Sequence, residues 1–218
     1  MWGRTATSKE TPERPGMGQH VDRDGRSGPP GGGTMHEIRW HGRGGQGAVT
    51  AAKILADAAF RSGFIGVASA PSFGSERRGA PVTASTRMAA APIRLHTQVS
   101  EPDIVVVLDE TLLGVGQATA GLRPGGTLIV NTGRAAAALG LAPGVRVVTA
   151  DVSAAAAEAG LVVGGAPMVN TAILGAFAAA TGLITMESLR EAIGAPFTPG
   201  AAERNYRAAC IARDATRA

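Results

Sequence analysis

The segment Gly42–Gly47, with the sequence GRGGQG, constrains the fold of this chain more than any other. It follows a predicted strand at Glu37–His41 and leads into a predicted helix at Gly47–Ser62, which Gly63 ends. The glycines fit the pattern G-x-G-x-x-G, which is typical of a phosphate-binding turn when it joins a strand to a helix. Glycine permits positive φ and a close approach of backbone N–H groups, and a helix N-terminus favours an anion. The turn alone fits the phosphates of NAD, FAD or coenzyme A, and it fits a structural crossover without a ligand equally well.

Short apolar stretches alternate with helical patterns through the rest of the chain. Three nearly continuous runs of Ile, Val and Leu are typical of buried parallel strands; they lie at Asp103–Leu108, Gly126–Asn131 and Val145–Thr149. Two further predicted strands lie at Phe64–Ser69 and Pro81–Met88. The other predicted helices are Val152–Ala159, Asn170–Thr181, Met186–Ile193 and Ala202–Ala215. This alternation predicts an α/β fold, a three-layer sandwich around a mostly parallel, Rossmann-like sheet.

The composition divides the chain into a tail and one domain. Residues 1–34 are rich in Gly, Pro, Ser, Arg and Asp and lack apolar periodicity, so we predict a disordered N-terminal tail. Residues 35–218 suffice for a single domain with its own core. The sequence has no apolar run of about 18 residues and no secretory signal at its N-terminus. These features predict a cytoplasmic protein without membrane contact.

The number and distribution of cysteine, histidine and charged residues argue against an iron–sulfur cluster, a metal site and nucleic-acid binding. Cys210 is the only cysteine, whereas an iron–sulfur cluster needs about four thiolates. If this protein takes part in electron transfer, we expect the electrons to pass through another chain. We expect Cys210 to be a buried, small apolar residue of its helix. His36, His41 and His96 are separated in sequence, and we predict no metal site. The net charge is +4 with scattered basic residues, which argues against nucleic-acid binding.

A polar loop at Ser72–Gly79 carries the basic residues most suited to a ligand. It follows a predicted strand on the side of the sheet where ligands gather in α/β folds. Arg77 and Arg78 can bind a phosphate or carboxylate, and Ser72 can add a neutral donor. In the alternative interpretation, Glu76 pairs with one arginine and the loop fastens to a partner surface.

A nicotinamide site would require an acidic residue that this sequence does not supply. In dinucleotide-binding folds, an acid at the end of the second strand, about 20 residues beyond the turn, holds the ribose hydroxyls. Here that strand ends at Ser69 and is followed by Ala70 and Pro71. The nearest acid, Asp57, lies inside the predicted helix. The sequence therefore argues against NAD as the ligand.

Several stretches together resemble the gamma subunit of 2-oxoacid:ferredoxin oxidoreductases, most closely the pyruvate type. The first two signatures read RGGQGAVTAAKILA at Arg43–Ala56 and PSFGSERRGAPVTASTR at Pro71–Arg87. A third reads NTAILGAF at Asn170–Phe177 and is followed by Thr181-Gly182-Leu183. The pattern ending in Glu203-Arg204-Asn205 is similar to the family's C-terminal helix. The resemblance covers about residues 36–212.

The resemblance implies a subunit of a larger enzyme that is not active alone. Enzymes of this family split a 2-oxoacid, transfer the acyl group to coenzyme A and pass electrons to ferredoxin. It implies alpha, beta and delta partner chains, with thiamine diphosphate and Mg between alpha and beta and iron–sulfur clusters in delta. No catalytic or metal-binding residue is expected in this chain. The residues expected to contact an anion or a partner are Gly44, Gly45, Gln46, Ser72, Arg77 and Arg78. Two alternatives stay open: a stand-alone Rossmann-type dehydrogenase and a non-catalytic scaffold subunit.

A few other polar residues have simple structural interpretations. Asp109 and Glu110 follow an apolar strand, where an acid at a helix N-terminus is the expected role. Asn170 is expected to cap the N-terminus of the helix that it precedes. His41 is expected to be a hydrogen-bonded residue at a strand end.

Overall fold

The computed structural model describes residues 35–71, 78–94, 97–115, 118–141 and 143–218. The predicted tail at 1–34 lies outside these residues, as do Ser72, Arg77 and His96. The tail and the start of the domain at residue 35 therefore stay predictions.

A six-stranded sheet forms the centre of the protein. Its strands, in chain order, are β1 (His36–Arg43), β2 (Gly66–Pro71), β3 (Pro81–Ala89), β4 (Ile104–Val107), β5 (Thr127–Asn131) and β6 (Arg146–Ala150). They lie in the order β2-β3-β1-β4-β5-β6. β1, β4, β5 and β6 are parallel neighbours, whereas β3 is antiparallel to both β1 and β2. Since β2 then runs in the direction of β1, β3 alone opposes the other strands of this sheet, and the prediction of a mostly parallel sheet is confirmed.

Helices lie on both faces of the sheet, but the two outer layers differ in thickness. The helices are α1 (Ala48–Arg61), α2 (Leu112–Val115), α3 (Val152–Glu158), α4 (Ile173–Thr181), α5 (Met186–Gly194) and α6 (Pro199–Asp214). The main core joins α1, α3, α4, α5 and α6 to strand residues such as Ile38 and Trp40. The smaller core joins Val105 and Leu128 to Leu112 of α2. A 3₁₀ turn at Ala136–Leu139 and a short hairpin, β7 (Val162–Val163) and β8 (Ala166–Pro167), complete the described elements.

Three elements begin two or more residues away from the predicted start. β2 begins at Gly66 rather than Phe64, because the Phe64 N–H donates to the Ala59 carbonyl in the turn that ends α1. α6 begins at Pro199 rather than Ala202; proline suits the first helical position because its missing N–H would be unpaired there. α4 begins at Ile173 rather than Asn170.

Trp40 ties β1, the strand before the glycine-rich turn, to β3, α1 and α4. Its side chain is fully buried and stacks against Phe177 of α4 with 6.3 Å between ring centroids. Its indole N–H donates to Thr86 Oγ1 of β3 at 3.0 Å, and that hydroxyl donates to the Ala52 carbonyl of α1 at 3.1 Å. A buried indole N–H needs such a partner. The strand and helix on either side of the glycine-rich turn are therefore held to the same core.

We expect Gly175→Ala to lower the free energy of unfolding by about 1–3 kcal/mol or more, as overpacking does. Gly175 lies where α4 crosses α6, and a Cβ there would sit 1.7 Å from the Ala209 carbonyl oxygen. Urea unfolding of the two proteins measures the difference. The matched control is Gly194→Ala in α5, where a Cβ would meet no atom within 4 Å. Equal stability of the two variants would contradict this account of the α4–α6 contact.

Candidate functional site

The glycine-rich turn lies at the carboxyl edge of the sheet, where β1 is flanked by β3 and β4. Leu108, directly after β4, donates its N–H to the His41 carbonyl at 2.8 Å. On the other side, Gly44 N–H donates to the Ala80 carbonyl at 2.8 Å, and Gly79 N–H donates to the Gly44 carbonyl at 3.0 Å. The turn is therefore held between the segment that enters β3 and the segment that leaves β4.

Asp109 fixes the conformation of the turn through its carboxylate. Oδ2 accepts from Arg43 Nε at 3.0 Å and from Gln46 Nε2 at 3.2 Å. Gln46 Oε1 in turn accepts from the Arg43 backbone N–H at 2.7 Å. Oδ1 accepts from the Thr111 backbone N–H at 3.0 Å and from its hydroxyl at 2.6 Å. We call Arg43, Gln46 and Asp109 the turn clamp.

The hydrogen bonds of the turn clamp also determine the ionisation of Asp109. Burial of the side chain acts to raise its pKa, but the hydrogen bonds from Thr111 and Gln46 and the charge of Arg43 outweigh burial. The net result is a pKa below the ordinary value of 3.8. Asp109 is therefore ionised near neutral pH, as the clamp requires.

The Arg43 guanidinium is committed to the clamp rather than to a ligand. Besides Asp109, it donates to the Gly79 carbonyl at 3.1 Å and to Thr111 Oγ1 at 2.7 Å. Arg78 differs: it is exposed, and it forms no ion pair with any residue that the structure describes. Of these two arginines at the turn, Arg78 is the one available to an anion.

Two glycines give the turn a backbone conformation that other residues rarely adopt. Gly45 has φ +97° and Gly47 has φ +80°, both in the left-handed region. A Cβ on Gly47 would also lie 2.8 Å from Cβ and from Nδ2 of Asn170. The turn delivers the chain into α1, and no described backbone carbonyl accepts from the N–H groups of Ala48, Val49 and Thr50. These N–H groups, with the helix dipole behind them, form a donor set suited to an anion.

A cleft of about 450 Å³ lies over this helix N-terminus. Polar groups line most of it, and Val49, Val82 and Met168 add an apolar wall. Its lining consists of Arg43, Gly44, Gly45, Gly47, Ala48, Val49, Thr50, Arg78, Val82, Met168 and Asn170. The cleft is large enough for part of a nucleotide-sized ligand.

Asn170 is a cleft residue whose position the sequence did not reveal. The prediction that it caps α4 is wrong: the N-cap is Ala172, with no side-chain cap. Asn170 is 7% exposed, and its Oδ1 accepts from the Thr171 N–H at 2.8 Å. It lies three residues before α4 and more than 100 residues beyond the turn. The signal that could have indicated it is its place in the NTAILGAF stretch.

The predicted site residues divide into three groups. Gly45 and Arg78 line the cleft, and the Gly45 N–H donates to no described backbone carbonyl. Gly44 also lines the cleft, but its N–H is donated to Ala80, and Gln46 belongs to the turn clamp. Ser72 and Arg77 lie outside the described residues. Ligand contacts by all six stay predictions.

The remaining polar residues have structural partners or no ligand geometry. His41 is 8% exposed and its Nε2 accepts from Arg39 Nε at 3.0 Å; burial and then the Arg39 charge lower its pKa to about 4. Cys210 is half-buried rather than fully buried. Among the described residues, no three His, Cys, Asp or Glu side chains are grouped as a metal site would require. No described helix is long and apolar enough to cross a membrane.

The fold and the turn define an α/β protein with a phosphate-type glycine turn facing an open cleft at the carboxyl edge of its sheet. The chain belongs to the pyruvate ferredoxin/flavodoxin oxidoreductase family, whose model matches residues 37–215. This result confirms the resemblance that the sequence signatures indicated.

Individual relatives match nearly their whole length. The chain is 52% identical over 179 residues to the "Pyruvate/ketoisovalerate oxidoreductases common subunit gamma" of Thermococcus kodakarensis, covering 80% of this chain and 94% of the relative. It is 50% identical over 161 residues to "Pyruvate synthase subunit PorC" of Methanosarcina barkeri, covering 74% and 86%. The crystal structure of pyruvate oxidoreductase subunit PORC from Thermotoga maritima superposes with a TM-score of 0.71 at 33% identity, covering 84% of this chain and 97% of that one.

We expect Asp109→Asn to destabilise the protein at pH 7 by about 1–3 kcal/mol, because Arg43, Gln46 and Thr111 all donate to the carboxylate. The folded-state pKa of Asp109 is lowered, so its contribution is present above pH 3.8 and is lost as pH falls through the folded-state value. Urea unfolding at pH 7 and at pH 3 measures both effects.

The matched control for this prediction is Asp57→Asn. Asp57 pairs with Arg61 one helical turn away on the surface, and such pairs contribute about 0.3–0.5 kcal/mol. If Asp109→Asn cost no more than Asp57→Asn at pH 7, the turn clamp would not be a main support of the site.

Proposed function

We propose that this chain is the gamma subunit of a multi-chain, pyruvate-type 2-oxoacid:ferredoxin oxidoreductase of the cytoplasm. Such an enzyme oxidatively decarboxylates a 2-oxoacid, forms the acyl-coenzyme A and passes electrons to ferredoxin. The observation that carries the proposal is the full-length match: the family model spans residues 37–215, and relatives named as gamma or PorC subunits are matched over up to 97% of their length. The matched region is thus as long as a single gamma-type subunit of those relatives.

The chemistry of the side chains supports a shared reaction. One cysteine cannot hold an iron–sulfur cluster, so the clusters of the complex would belong to a delta-type partner. Thiamine diphosphate and Mg would lie between alpha- and beta-type partners. Ferredoxin would be reached through the complex and not through this chain alone.

We assign this chain the handling of coenzyme A, and the residues of the cleft fit its phosphates. The N-terminal amides of α1 are free of described backbone acceptors, and Arg78 adds a cation at the exposed side. The relative from Thermococcus kodakarensis is named as a subunit common to pyruvate and ketoisovalerate oxidoreductases. A subunit that serves two enzymes with different 2-oxoacids is expected to act in a step that both reactions share. Coenzyme A is the acyl acceptor in both, whereas the 2-oxoacid differs.

The predicted site residues take defined roles within this proposal. Gly45 and the amides that follow Gly47 would receive a phosphate, and Arg78 would neutralise part of its charge. Ser72 and Arg77 would extend the same basic loop. Gly44 and Gln46 would act mainly by shaping the turn, since their polar groups already bond to Ala80, Arg43 and Asp109.

The direct test is affinity purification of this chain from its native cells under anaerobic conditions, followed by identification of the co-purifying proteins. We expect a thiamine-binding partner, a cysteine-rich partner and reduction of ferredoxin that depends on both pyruvate and coenzyme A. Recovery of the chain alone, with NAD-dependent activity, would overturn the proposal in favour of a stand-alone dehydrogenase.

We expect Arg78→Ala in the assembled enzyme to raise the KM for coenzyme A by about 3–10-fold, because one cation–phosphate contact is removed. The KM for pyruvate should stay within twofold. Steady-state kinetics at varied coenzyme A measures the effect, and raised salt should reduce the difference between the variant and the parent.

Arg207→Ala is the control, since Arg207 is an exposed arginine of α6 that does not line the cleft. It removes the same charge at a distance from the proposed contact. If Arg78→Ala prevented assembly while Arg207→Ala did not, the loop would be an interface and the scaffold alternative would be favoured.

A further inference from the structure

We propose that Asn131 is a positioning residue for the glycine-rich turn, which it holds in its binding conformation through Leu108 and Asp109. Asn131 is the last residue of β5, lies two strands away from β1 and does not line the cleft. A series of hydrogen bonds nevertheless joins it to the turn. The inference rests on the proposed function, because it takes coenzyme A as the ligand of the turn.

The partners of the Asn131 amide determine its orientation. Nδ2 donates to the Leu108 carbonyl at 2.9 Å and to Ser153 Oγ at 3.0 Å. Oδ1 accepts from the backbone N–H groups of Val152 at 2.9 Å and Ser153 at 3.1 Å. A backbone N–H only donates and a carbonyl oxygen only accepts, so the reversed amide would not fit. The residue is 8% exposed, and it joins the ends of β4 and β5 to the start of α3.

Leu108 is held from both neighbouring strands. Its N–H donates to the His41 carbonyl of β1 at 2.8 Å, and its carbonyl accepts from Asn131. The register pairs between β4 and β5 end one residue earlier, so the Asn131 side chain supplies the next hydrogen bond between these strand ends. The Leu108 carbonyl belongs to the planar peptide group that leads into Asp109. The bond from Asn131 therefore sets the direction in which Asp109 leaves the sheet.

The next residue of β5's end, Thr132, supports the same segment from its other side. Its hydroxyl donates to Glu110 Oε2, and Thr132 is only 7% exposed. The end of β5 thus contacts the residue before Asp109 through its backbone and the residue after Asp109 through its side chain. Asp109 stands between these two contacts, with its carboxylate directed to the turn clamp.

The turn clamp depends on where this carboxylate lies. Asp109 Oδ2 is 3.2 Å from Gln46 Nε2, so a further shift of about 0.5 Å would break that hydrogen bond. Gln46 would then lose the contact that directs its Oε1 to the Arg43 N–H. A displaced turn presents its N–H groups in a poorer arrangement for an anion. We therefore expect Asn131 to affect the affinity for the ligand and not the chemical step.

The test is Asn131→Asp in the assembled enzyme, measured by steady-state kinetics. Aspartate keeps an oxygen for the N–H groups of Val152 and Ser153, but it replaces the donor to the Leu108 carbonyl by an acceptor. We expect the KM for coenzyme A to rise about 3–10-fold, as loss of one net hydrogen bond does, with kcat and the KM for pyruvate within about twofold of the parent. A general loss of folded enzyme would lower kcat instead. An unchanged KM for coenzyme A would overturn the inference.

The matched control is Ser153→Ala. It removes the other acceptor of Asn131 Nδ2 and leaves the hydrogen bond to Leu108 in place. We expect this variant to keep the parent's KM for coenzyme A. If it raised that KM as much as Asn131→Asp does, the network would serve only the packing of α3, and the positioning role would be wrong.

A double-mutant cycle with Asp109→Asn tests whether Asn131 acts through Asp109. We expect Asp109→Asn to raise the KM for coenzyme A, and Asn131→Asp to add little to that rise when the two are combined. Independent, multiplying effects would contradict the inference while leaving the proposed function intact. An Asp109→Asn enzyme with the parent's KM for coenzyme A would instead count against coenzyme A binding at the turn, and so against the proposed function.

Thr132→Val is the second variant, measured in the same way if Asn131→Asp does not enter the complex. Valine keeps the shape of threonine but removes the hydroxyl that contacts Glu110. We expect a rise of about 2–5-fold in the KM for coenzyme A, again without a change in kcat. If neither variant assembled, or if Thr132→Val left this KM unchanged, the end of β5 would support only the fold, and the inference would be wrong.

Discussion

The site depends on the hydrogen bonds that the carboxylate of Asp109 accepts. This carboxylate stands after β4 and reaches across the switch in strand order to Arg43 and Gln46 of the turn after β1. Its two oxygens accept four hydrogen bonds. Two of these come from the Arg43 and Gln46 side chains, which therefore bond within the protein rather than to a ligand. The backbone N–H groups at the start of α1 are left facing the cleft. A charged side chain thereby prepares a binding surface made mainly of neutral donors.

The elements that border the cleft, β1, β3, α4 and α6, also contribute residues to the core. Trp40 and Thr86 hold β1, β3 and α1 to one another directly below the turn. On the far wall, α4 and α6 meet at Gly175 without room for a side chain, and Asn205 of α6 supports the segment that carries Asn170. The cleft therefore lies between elements that are packed into the core on both sides. Its exposed side carries Arg78.

Sequence patterns predicted the sheet and the turn because both depend on local signals. The apolar runs of β4, β5 and β6 and the glycines at 42–47 each specify their structure within a few residues. The interpretation of Asn170 as a helix cap was wrong because its partner is Gly47, and no local rule joins positions so far apart. The clamp role of Asp109 was missed for the same reason. Nothing in the sequence distinguishes Arg43, whose guanidinium donates to Asp109, Gly79 and Thr111, from Arg78, which is exposed.

In the function we propose, the cleft at the glycine-rich turn receives the phosphate end of coenzyme A within the assembled enzyme. The structure of the complete complex, purified with its partner chains and determined with coenzyme A bound, tests it most directly. We expect a phosphate oxygen about 3 Å from a backbone nitrogen at the start of α1, with Arg78 beside it. Coenzyme A bound entirely on other chains, with this cleft filled by a partner's side chains, would contradict it.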